Sequence, residues 1–203
     1  MGIVVLPAIG LYLLISVAVA IGTFRYARKH SKNAKLWGCS AALVMYLLVF
    51  WDHIPTLIAH KYYCEKEAGF WVYKTVDQWK VENPGVMETL VNNKGAPSQF
   101  EVFDDGHGDK NTYLLNGRFN WVVIKQDMSG LLSIIRTEQE VKDTKKNEIL
   151  ARYVDFSAGN SVKNTVGPPG PLKFWLSNRH CSDGGYNQDA LRDFRNNFMG
   201  AEK

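Results

Sequence analysis

The chain has 203 residues, of which 46% are hydrophobic and 22% are charged, and its formal net charge is +4. Five of its 24 Lys and Arg residues lie within residues 25–35, so the rest of the chain carries 19 of them against 20 Asp and Glu. Because the excess positive charge is confined to one short segment, the net charge does not indicate nucleic-acid binding, and we expect no nucleic-acid partner.

Two apolar runs begin the chain. Residues 3–24 form an uncharged run of 22 residues, which as a helix is roughly 33 Å long and exceeds the hydrocarbon core of a bilayer, about 30 Å thick. A second run extends from Leu36 to Trp51 and, to reach a similar length, is expected to continue to about Ala59. Residues 1–59 are therefore predicted to form a transmembrane helical hairpin, with the lipid bilayer as a partner.

The charge pattern of this hairpin predicts its orientation. No acidic residue precedes Asp52, and the positive charges before it all lie between the two runs, at Arg25, Arg28, Lys29, Lys32 and Lys35. By the positive-inside rule the loop at residues 25–35 is cytoplasmic, and the N-terminus and residues 60–203 are periplasmic. A signal peptide is the alternative interpretation of the first run. It is disfavoured because no basic residue precedes the run and 22 residues exceed a typical signal-peptide core.

An aromatic segment follows the hairpin. Residues 60–80 are predicted to continue the second helix out of the membrane, with Gly69 as a break, and Pro84 and Gly85 end the helical region. Its aromatic residues are Tyr62, Tyr63, Phe70, Trp71, Tyr73 and Trp79. Two interpretations stay open: these side chains pack against the core of the domain, or they form a docking surface for the membrane or a protein partner.

Beyond residue 85 the apolar pattern changes to the alternation typical of strands. A short strand is predicted at residues 100–103, and the Asn116-Gly117 pair lies between two apolar runs, the pattern of a β-hairpin. Two more strands are predicted at residues 131–142 and 148–156. Together these segments predict an antiparallel meander of four or five strands.

The end of the chain is predicted to return to helix. Residues 157–171 are rich in Gly, Pro and Asn and are expected to form a loop. Near the C-terminus, Leu191, Phe194 and Phe198 share one helical face, and Gly200 is a plausible stop. The expected fold of residues 60–203 is thus an extracytoplasmic α+β domain.

Three cysteines are present, and two of them lie in the predicted exported domain. Cys64 and Cys181 are 117 residues apart, and an exported pair favours a disulfide, for which the chain-entropy model gives at most about 5 kcal/mol. Cys39 lies inside the second apolar run and is expected to be a buried packing residue.

A metal site is the alternative use of this region. His53, His60 and Cys64 follow at spacings of seven and four, which place them on one side of a continuous helix, and imidazole with thiolate binds copper or zinc. Cys64 cannot both ligate a metal and form the disulfide. Residues 104–109, DDGHGD, carry oxygen donors but lack the spacing and closing Glu of an EF-hand loop, so a solvated turn is expected there.

No sequence motif indicates a particular enzymatic reaction. The chain contains no G-x-S-x-G, no H-E-x-x-H and no Walker loop, and we expect no catalytic residues and no cofactor. The leading hypothesis is a non-enzymatic interaction or assembly module with a membrane or periplasmic protein partner. A metal or redox protein and an envelope hydrolase with dispersed catalytic residues are the alternatives, and the oligomeric state stays open.

One stretch resembles a known family. Residues 50–75, FWDHIPTLIAHKYYCEKEAGFWVYKT, resemble a motif of small bacterial two-span membrane proteins with no known activity. In that family the motif marks the exit from a transmembrane helix into a Cys-bearing helix, followed by a β-rich region with a phrase like LARYVDFS at residues 150–157. The resemblance covers the chain from about residue 36 onward. It implies a bacterial inner membrane and no reaction, so no catalytic role is carried over.

Overall fold

A computed structural model describes residues 2–30, 32–93, 96–103, 107–128, 132–159, 176, 179–181 and 186–200. The chain divides into two compact units, Met1–Ile54 and Pro55–Lys203. The first half of the predicted turn at residues 104–109, namely residues 104–106, and most of the predicted loop at residues 157–171 lie outside the described residues.

The first unit contains two helices that contact each other, α1 (Gly2–Lys29) and α2 (Ala34–Phe50). Asn33 caps α2, since its side chain accepts a hydrogen bond from Leu36 N at 3.3 Å. By length and composition, α1 alone is apolar enough to cross a membrane, over Ile9–Lys29.

The second helix, predicted to continue to about Ala59, is broken after Phe50. α2 ends at Phe50, and the next helix, α3 (His53–Glu67), is bent from it by 63°. Only the two helices taken together pass the same test of length and apolarity. The break has a local cause: Pro55, in the first turn of α3, has no N–H to donate to the carbonyl of Trp51, and its ring clashes with that carbonyl in a continuous helix.

The second unit is built around one antiparallel sheet. Its further elements are β1 (Gly69–Val72), α4 (Val76–Glu82), a short 3-10 helix (Met87–Thr89), β2 (Ala96–Val102), β3 (Gly108–Leu114), β4 (Phe119–Asp127), β5 (Ile134–Asp143), β6 (Glu148–Ala158), β7 (Arg179–His180) and α5 (Tyr186–Asn196). Six strands follow the order β1-β6-β5-β4-β3-β2, and the two-residue β7 also pairs with β6. The predicted meander is therefore present as β2 to β6.

β1 corrects the prediction that residues 60–80 are helical. Gly69 follows the end of α3, and Gly69–Val72 pair with β6 in the register Gly69↔Val154 to Val72↔Ala151. The aromatic and β-branched residues of this segment suit a strand as well as a helix, and the free edge of β6 supplies the hydrogen bonds.

Helices cover parts of both sheet faces. On one, here called the α5 face, α4, α5 and the turn after α5 contribute Trp79, Leu191 and Phe198 to a core with Phe119 and Tyr153 of the sheet. On the other, the α3 face, Ala59, Tyr63 and Cys64 of α3 pack against a core formed by Ile134, Val154 and Phe156. Alternation along β6 explains the division, since neighbouring residues such as Tyr153 and Val154 point to opposite faces.

The two elements predicted most directly, the hairpin and the last helix, are confirmed. β3 and β4 pair antiparallel around Asn116-Gly117. In α5 and the turn after it, Leu191 and Phe198 are buried. Gly200 lies beyond that turn with φ +84°, a backbone conformation that suits glycine.

β2 is the edge strand at the other end of the sheet from β1. All of its residues are exposed, and its pairing with β3 shifts register between Pro97 and Gln99. Ser98, at this irregularity, donates its hydroxyl hydrogen to Thr112 O at 3.1 Å.

Candidate functional site

The predicted cysteine pair lies at disulfide distance. The sulfur atoms of Cys64 and Cys181 are 2.00 Å apart and join α3 to the residue that follows β7. Cys39 is exposed within the first unit, which corrects its expected burial: it lines an open groove beside α1 and is not enclosed by the helix pair.

The structure changes the predicted metal set. His60, Cys64 and Cys181 have ligand atoms that all lie within 4.8 Å of one another. His60 Nε2 lies 3.0 Å from Phe156 O and 3.5 Å from Cys64 Sγ. His53 is not part of this cluster, because it belongs to the first unit, where its Nδ1 lies 2.8 Å from the hydroxyl of Tyr46. When the two sulfurs form the disulfide, neither can bind a metal as a thiolate, and only His60 of the three can still act as a ligand.

The predicted aromatic docking surface is mostly internal. Trp79 is completely buried and belongs to the core of the α5 face, so of the two interpretations core packing applies to it and a docking role does not. Phe70 packs against the same core, with its ring 6.2 Å from that of Phe194, and Tyr63 stacks on Phe156 at 5.2 Å. Tyr62 and Trp71 remain largely outside, at 58% and 42% exposure.

A cavity of about 550 Å³, here called the α5 cleft, lies between the α5 face and α5 itself. Strands β3 to β5 form its floor and α5 forms its wall, with His180 of β7 at its edge. Its lining residues are Asn111, Tyr113, Trp121, Val123, Lys125, Thr137, Gln139, His180, Gln188, Asp189, Leu191, Arg192 and Arg195. This volume is within the range of ligand-binding pockets in proteins, about 300–1,000 Å³.

Arg195 and Trp121 form the centre of the cleft. The Arg195 guanidinium lies over the Trp121 ring at 4.2 Å, and Tyr113 stacks with Trp121 at 4.7 Å. Trp121 Nε1 donates to Gln139 Oε1 at 3.1 Å, which fixes the ring. Because two other groups already contact its ring, Trp121 positions the guanidinium rather than offering an open stacking surface.

The positive charge of the Arg195 guanidinium receives little stabilisation from neighbouring groups. Its Nε is buried and has no hydrogen-bond partner within the part of the chain that the structure describes. Burial lowers the pKa of Arg195, and the positive charge of Arg192 lowers the pKa further. An anion placed in the cleft would offset both effects.

The charges around Arg195 leave the cleft positive. Lys125, Arg192 and Arg195 line it against the single carboxylate of Asp189, and Asp189 already pairs with Arg192 at 2.9 Å. Amide and hydroxyl groups on the cleft lining add further hydrogen-bonding capacity. The arrangement suits a carboxylate or another planar anion, which a guanidinium binds through two parallel hydrogen bonds.

Asp155 links the cleft to the disulfide. Its Oδ2 lies 2.6 Å from His180 Nδ1, at the cleft edge, and its Oδ1 accepts a hydrogen bond from Cys181 N at 2.9 Å. Asp155 is buried while the side chain of His180 is half exposed. The carboxylate thus holds β7 and the residue after it on the sheet.

Sequence reasoning missed the α5 cleft. Its residues come from five elements that are far apart in the chain, so no local motif marks it. Two signals were present: Arg192 and Arg195 are spaced by three residues on one side of a helix, and Asn111 and Gln139 occupy inward-facing strand positions where apolar residues are expected.

Comparison of the chain with protein-family models, with curated proteins and with solved structures finds no match. The inferences below therefore rest on the geometry of the two units.

Proposed function

We propose that the protein is a non-enzymatic binding module, anchored in the bacterial inner membrane, whose periplasmic domain receives an acidic segment of a protein partner in the α5 cleft. The observation that carries the proposal is the Arg195 guanidinium, which is held on Trp121 with its buried Nε unpartnered in the described chain. A guanidinium prepared in this way binds a carboxylate at little cost in side-chain ordering.

The chemistry of the cleft favours a peptide as the carrier of that carboxylate. Gln188 and Thr137 lie on its lining together with Asn111, and such groups can bond the N–H and C=O of an extended peptide. Lys125 adds a second positive charge apart from the Arg192–Asp189 pair. An acidic peptide would therefore satisfy both the charge and the amide groups.

The binding test compares two peptides and four proteins. We expect a tetraglutamate peptide to bind the full-length protein, monitored by tryptophan fluorescence, and a tetraglutamine peptide not to bind. Arg195→Gln should weaken tetraglutamate binding at least about tenfold, as expected for loss of a charge-assisted hydrogen bond. Arg195→Lys keeps the charge but should still weaken binding, because the guanidinium geometry is lost.

Lys61→Gln is the matched control for charge. Lys61 lies on α3, 78% exposed and paired with Glu65 at 3.8 Å, so its removal lowers the net charge equally without touching the cleft. Equal binding of both peptides, or an equal loss in Lys61→Gln and Arg195→Gln, would refute the cleft as the recognition site.

Three features support the membrane anchor. α1 passes the length and apolarity test alone, and α2 with α3 passes it as a bent pair. The five cations of residues 25–35 fall between α1 and the start of α2 or at their ends. We propose two spans with this loop in the cytoplasm and with the N-terminus and residues 60–203 in the periplasm.

Thiol labelling of intact cells tests the orientation. A membrane-impermeant maleimide should label Cys64 and Cys181 only after reduction, in a Cys39→Ser background that removes the third thiol. Labelling only after permeabilisation would put the domain in the cytoplasm. Loss of residues 1–30 from the mature protein, seen by mass spectrometry, would make α1 a signal peptide.

Metal binding by the reduced protein is a second candidate, favoured by the 4.8 Å cluster of His60, Cys64 and Cys181. Imidazole and two thiolates suit zinc or copper, with a fourth position open. Elemental analysis of protein purified with and without reductant should find stoichiometric metal only in the reduced form, and His60→Ala should lower it. Metal-free reduced protein would remove this candidate.

A further inference from the structure

A groove of about 610 Å³ lies between α1 and α2 in the first unit. One part of its wall is apolar, with Ile21 and Phe24, and the next turn of α1 carries the cations Arg25 and Arg28. Lys35 contributes a third cation from α2. The groove therefore passes from an apolar to a cationic lining along one helix.

Gly38 allows the two helices to approach at this groove. A Cβ atom at Gly38 would lie 3.3 Å from Phe24 Cβ and 3.7 Å from Ala20 O. A larger residue would therefore push α2 away from α1 and widen the space between them. The close contact at Gly38 therefore keeps Lys35 of α2 near the cations and apolar residues of α1.

The three cations lie far from the acidic residue of their own unit, Asp52. Arg25 and Arg28 are neighbours on the helix surface and repel each other. The first acidic residue of the chain is Asp52, which follows the far end of the 17-residue α2, and 17 residues of helix span about 25 Å, more than a Debye length at physiological ionic strength. An anionic ligand in the groove would supply the negative charge that the first unit does not place beside these cations.

We infer that this groove binds an anionic phospholipid, with its phosphate at Arg25, Arg28 and Lys35 and an acyl chain along Ile21 and Phe24. The inference rests on the membrane anchoring proposed above and is independent of the α5 cleft. A free phosphate would use the cations alone, whereas a lipid also covers the apolar wall. Arg25 and Arg28 lie near the C-terminal end of α1, the end of a helix that favours positive side chains. The orientation proposed above puts this end of the hairpin, and with it the site, in the cytoplasmic leaflet.

Lipid retention by the full-length protein tests the site. The protein is reconstituted with equal amounts of phosphatidylglycerol and phosphatidylcholine of the same acyl chains, re-extracted in detergent and analysed by native mass spectrometry. We expect preferential retention of phosphatidylglycerol by the wild type. Arg25→Gln/Arg28→Gln should lower that preference about tenfold, because two cations near the phosphate are removed.

Lys29→Gln/Lys32→Gln is the matched control, since it removes the same charge from the same loop outside the groove lining. It should keep the preference for phosphatidylglycerol. Equal retention of both lipids by the wild type, or an equal loss in the control, would overturn the site. Full displacement of the lipid by soluble glycerophosphoglycerol would show that the headgroup alone binds, which contradicts the role of the apolar wall.

A separate measurement distinguishes failure of this inference from failure of the membrane proposal. Release of the protein from cell membranes by alkaline carbonate would refute the anchoring itself. Protein that stays in the membrane pellet but shows no lipid preference would refute the groove as a lipid site and leave the anchoring intact.

Discussion

Trp79 Nε1 donates a hydrogen bond to Asp143 Oδ2 at 2.9 Å, and neither residue is accessible to solvent. Arg118 pairs with the same carboxylate at 2.9 Å, and its guanidinium lies 4.7 Å from the centre of the Trp79 ring. Asn83 Oδ1 accepts a further hydrogen bond from Arg118 at 2.9 Å. One buried carboxylate thus ties α4 and the residue after it to the sheet.

Asp143→Ala is expected to destabilise the domain strongly. It leaves the buried Arg118 charge unpaired, and breaking a buried ion pair in this way costs about 3–5 kcal/mol. Glu65→Ala is the control, because it removes a partner from the exposed Lys61–Glu65 pair, for which a change within about 0.5 kcal/mol is expected. Urea unfolding in detergent measures both free energies, and similar values for the two variants would contradict the role of Asp143.

The same carboxylate should make stability depend on pH in the acid range. Burial alone would raise the pKa of Asp143, but hydrogen bonds from Arg118 and Trp79 outweigh it and hold the pKa below its ordinary value of 3.8. The stabilisation is therefore complete above pH 3.8 and is lost as the pH falls through the lower pKa of the folded state. Asp143→Asn should make the unfolding free energy depend less on pH below pH 3.8. An unchanged slope of unfolding free energy against pH would contradict the role given to Asp143.

Glu140 should have the opposite effect. Burial raises the pKa of Glu140 above 4.5, and the negative charge of Glu138 raises it further. Keeping Glu140 ionised therefore costs stability at neutral pH, so Glu140→Gln should stabilise the domain there, with the gain disappearing below pH 4.5. Thermal unfolding at neutral and acid pH measures the difference.

Glu138→Gln is the matched control for this prediction. Glu138 is buried on the same strand, 2.5 Å from Arg136 in one ion pair and bonded to Arg152 in another. Its replacement should destabilise the domain, because two cations lose their partner. A gain in stability from Glu138→Gln, or a loss from Glu140→Gln at neutral pH, would contradict the charge distribution described for β5.

Cys64→Ser is predicted to lower stability by up to about 5 kcal/mol, the entropic limit for a loop of this length. Cys64 and Cys181 are separated by 117 positions in the sequence, and the loop between them includes every strand of the sheet. Cys39→Ser, in the first unit, should leave the melting temperature of the domain unchanged. Reduced wild type and Cys64→Ser should have the same melting temperature. A large difference between the two temperatures would mean that the Cys64 thiol has another role.

Local patterns predicted the β3–β4 hairpin correctly, although the turn works differently from the expected one. Asn116 Oδ1 accepts hydrogen bonds from Arg118 N and Phe119 N, both at 2.9 Å, and its Nδ2 donates to Phe198 O at 2.6 Å. Among the described residues, Gly117 is not one of the glycines with positive φ. The Asn therefore acts through its side chain, which also holds the segment after α5.

Contacts between distant segments explain what the sequence did not predict. β1 becomes a strand because β6, some 80 residues later, offers it a partner, and single-segment propensity cannot weigh that gain. The sequence does not decide between core and surface for Trp79, because its partner Asp143 lies 64 residues away. The α5 cleft combines Trp121, Gln139 and Arg195 from three elements, so its charge balance exists only in the folded domain.

β2 bears on how the protein behaves at high local concentration. It is the outermost strand, with Phe100 at 53% and Val102 at 51% exposure, and such an edge can recruit strands from neighbouring molecules. Pro97 has no N–H to offer, and the irregular pairing beside it twists the start of the strand away from a flat ladder. The start of β2 is therefore protected from pairing with a strand of another molecule. In the rest of the strand, Glu101 places a charge that disfavours such pairing.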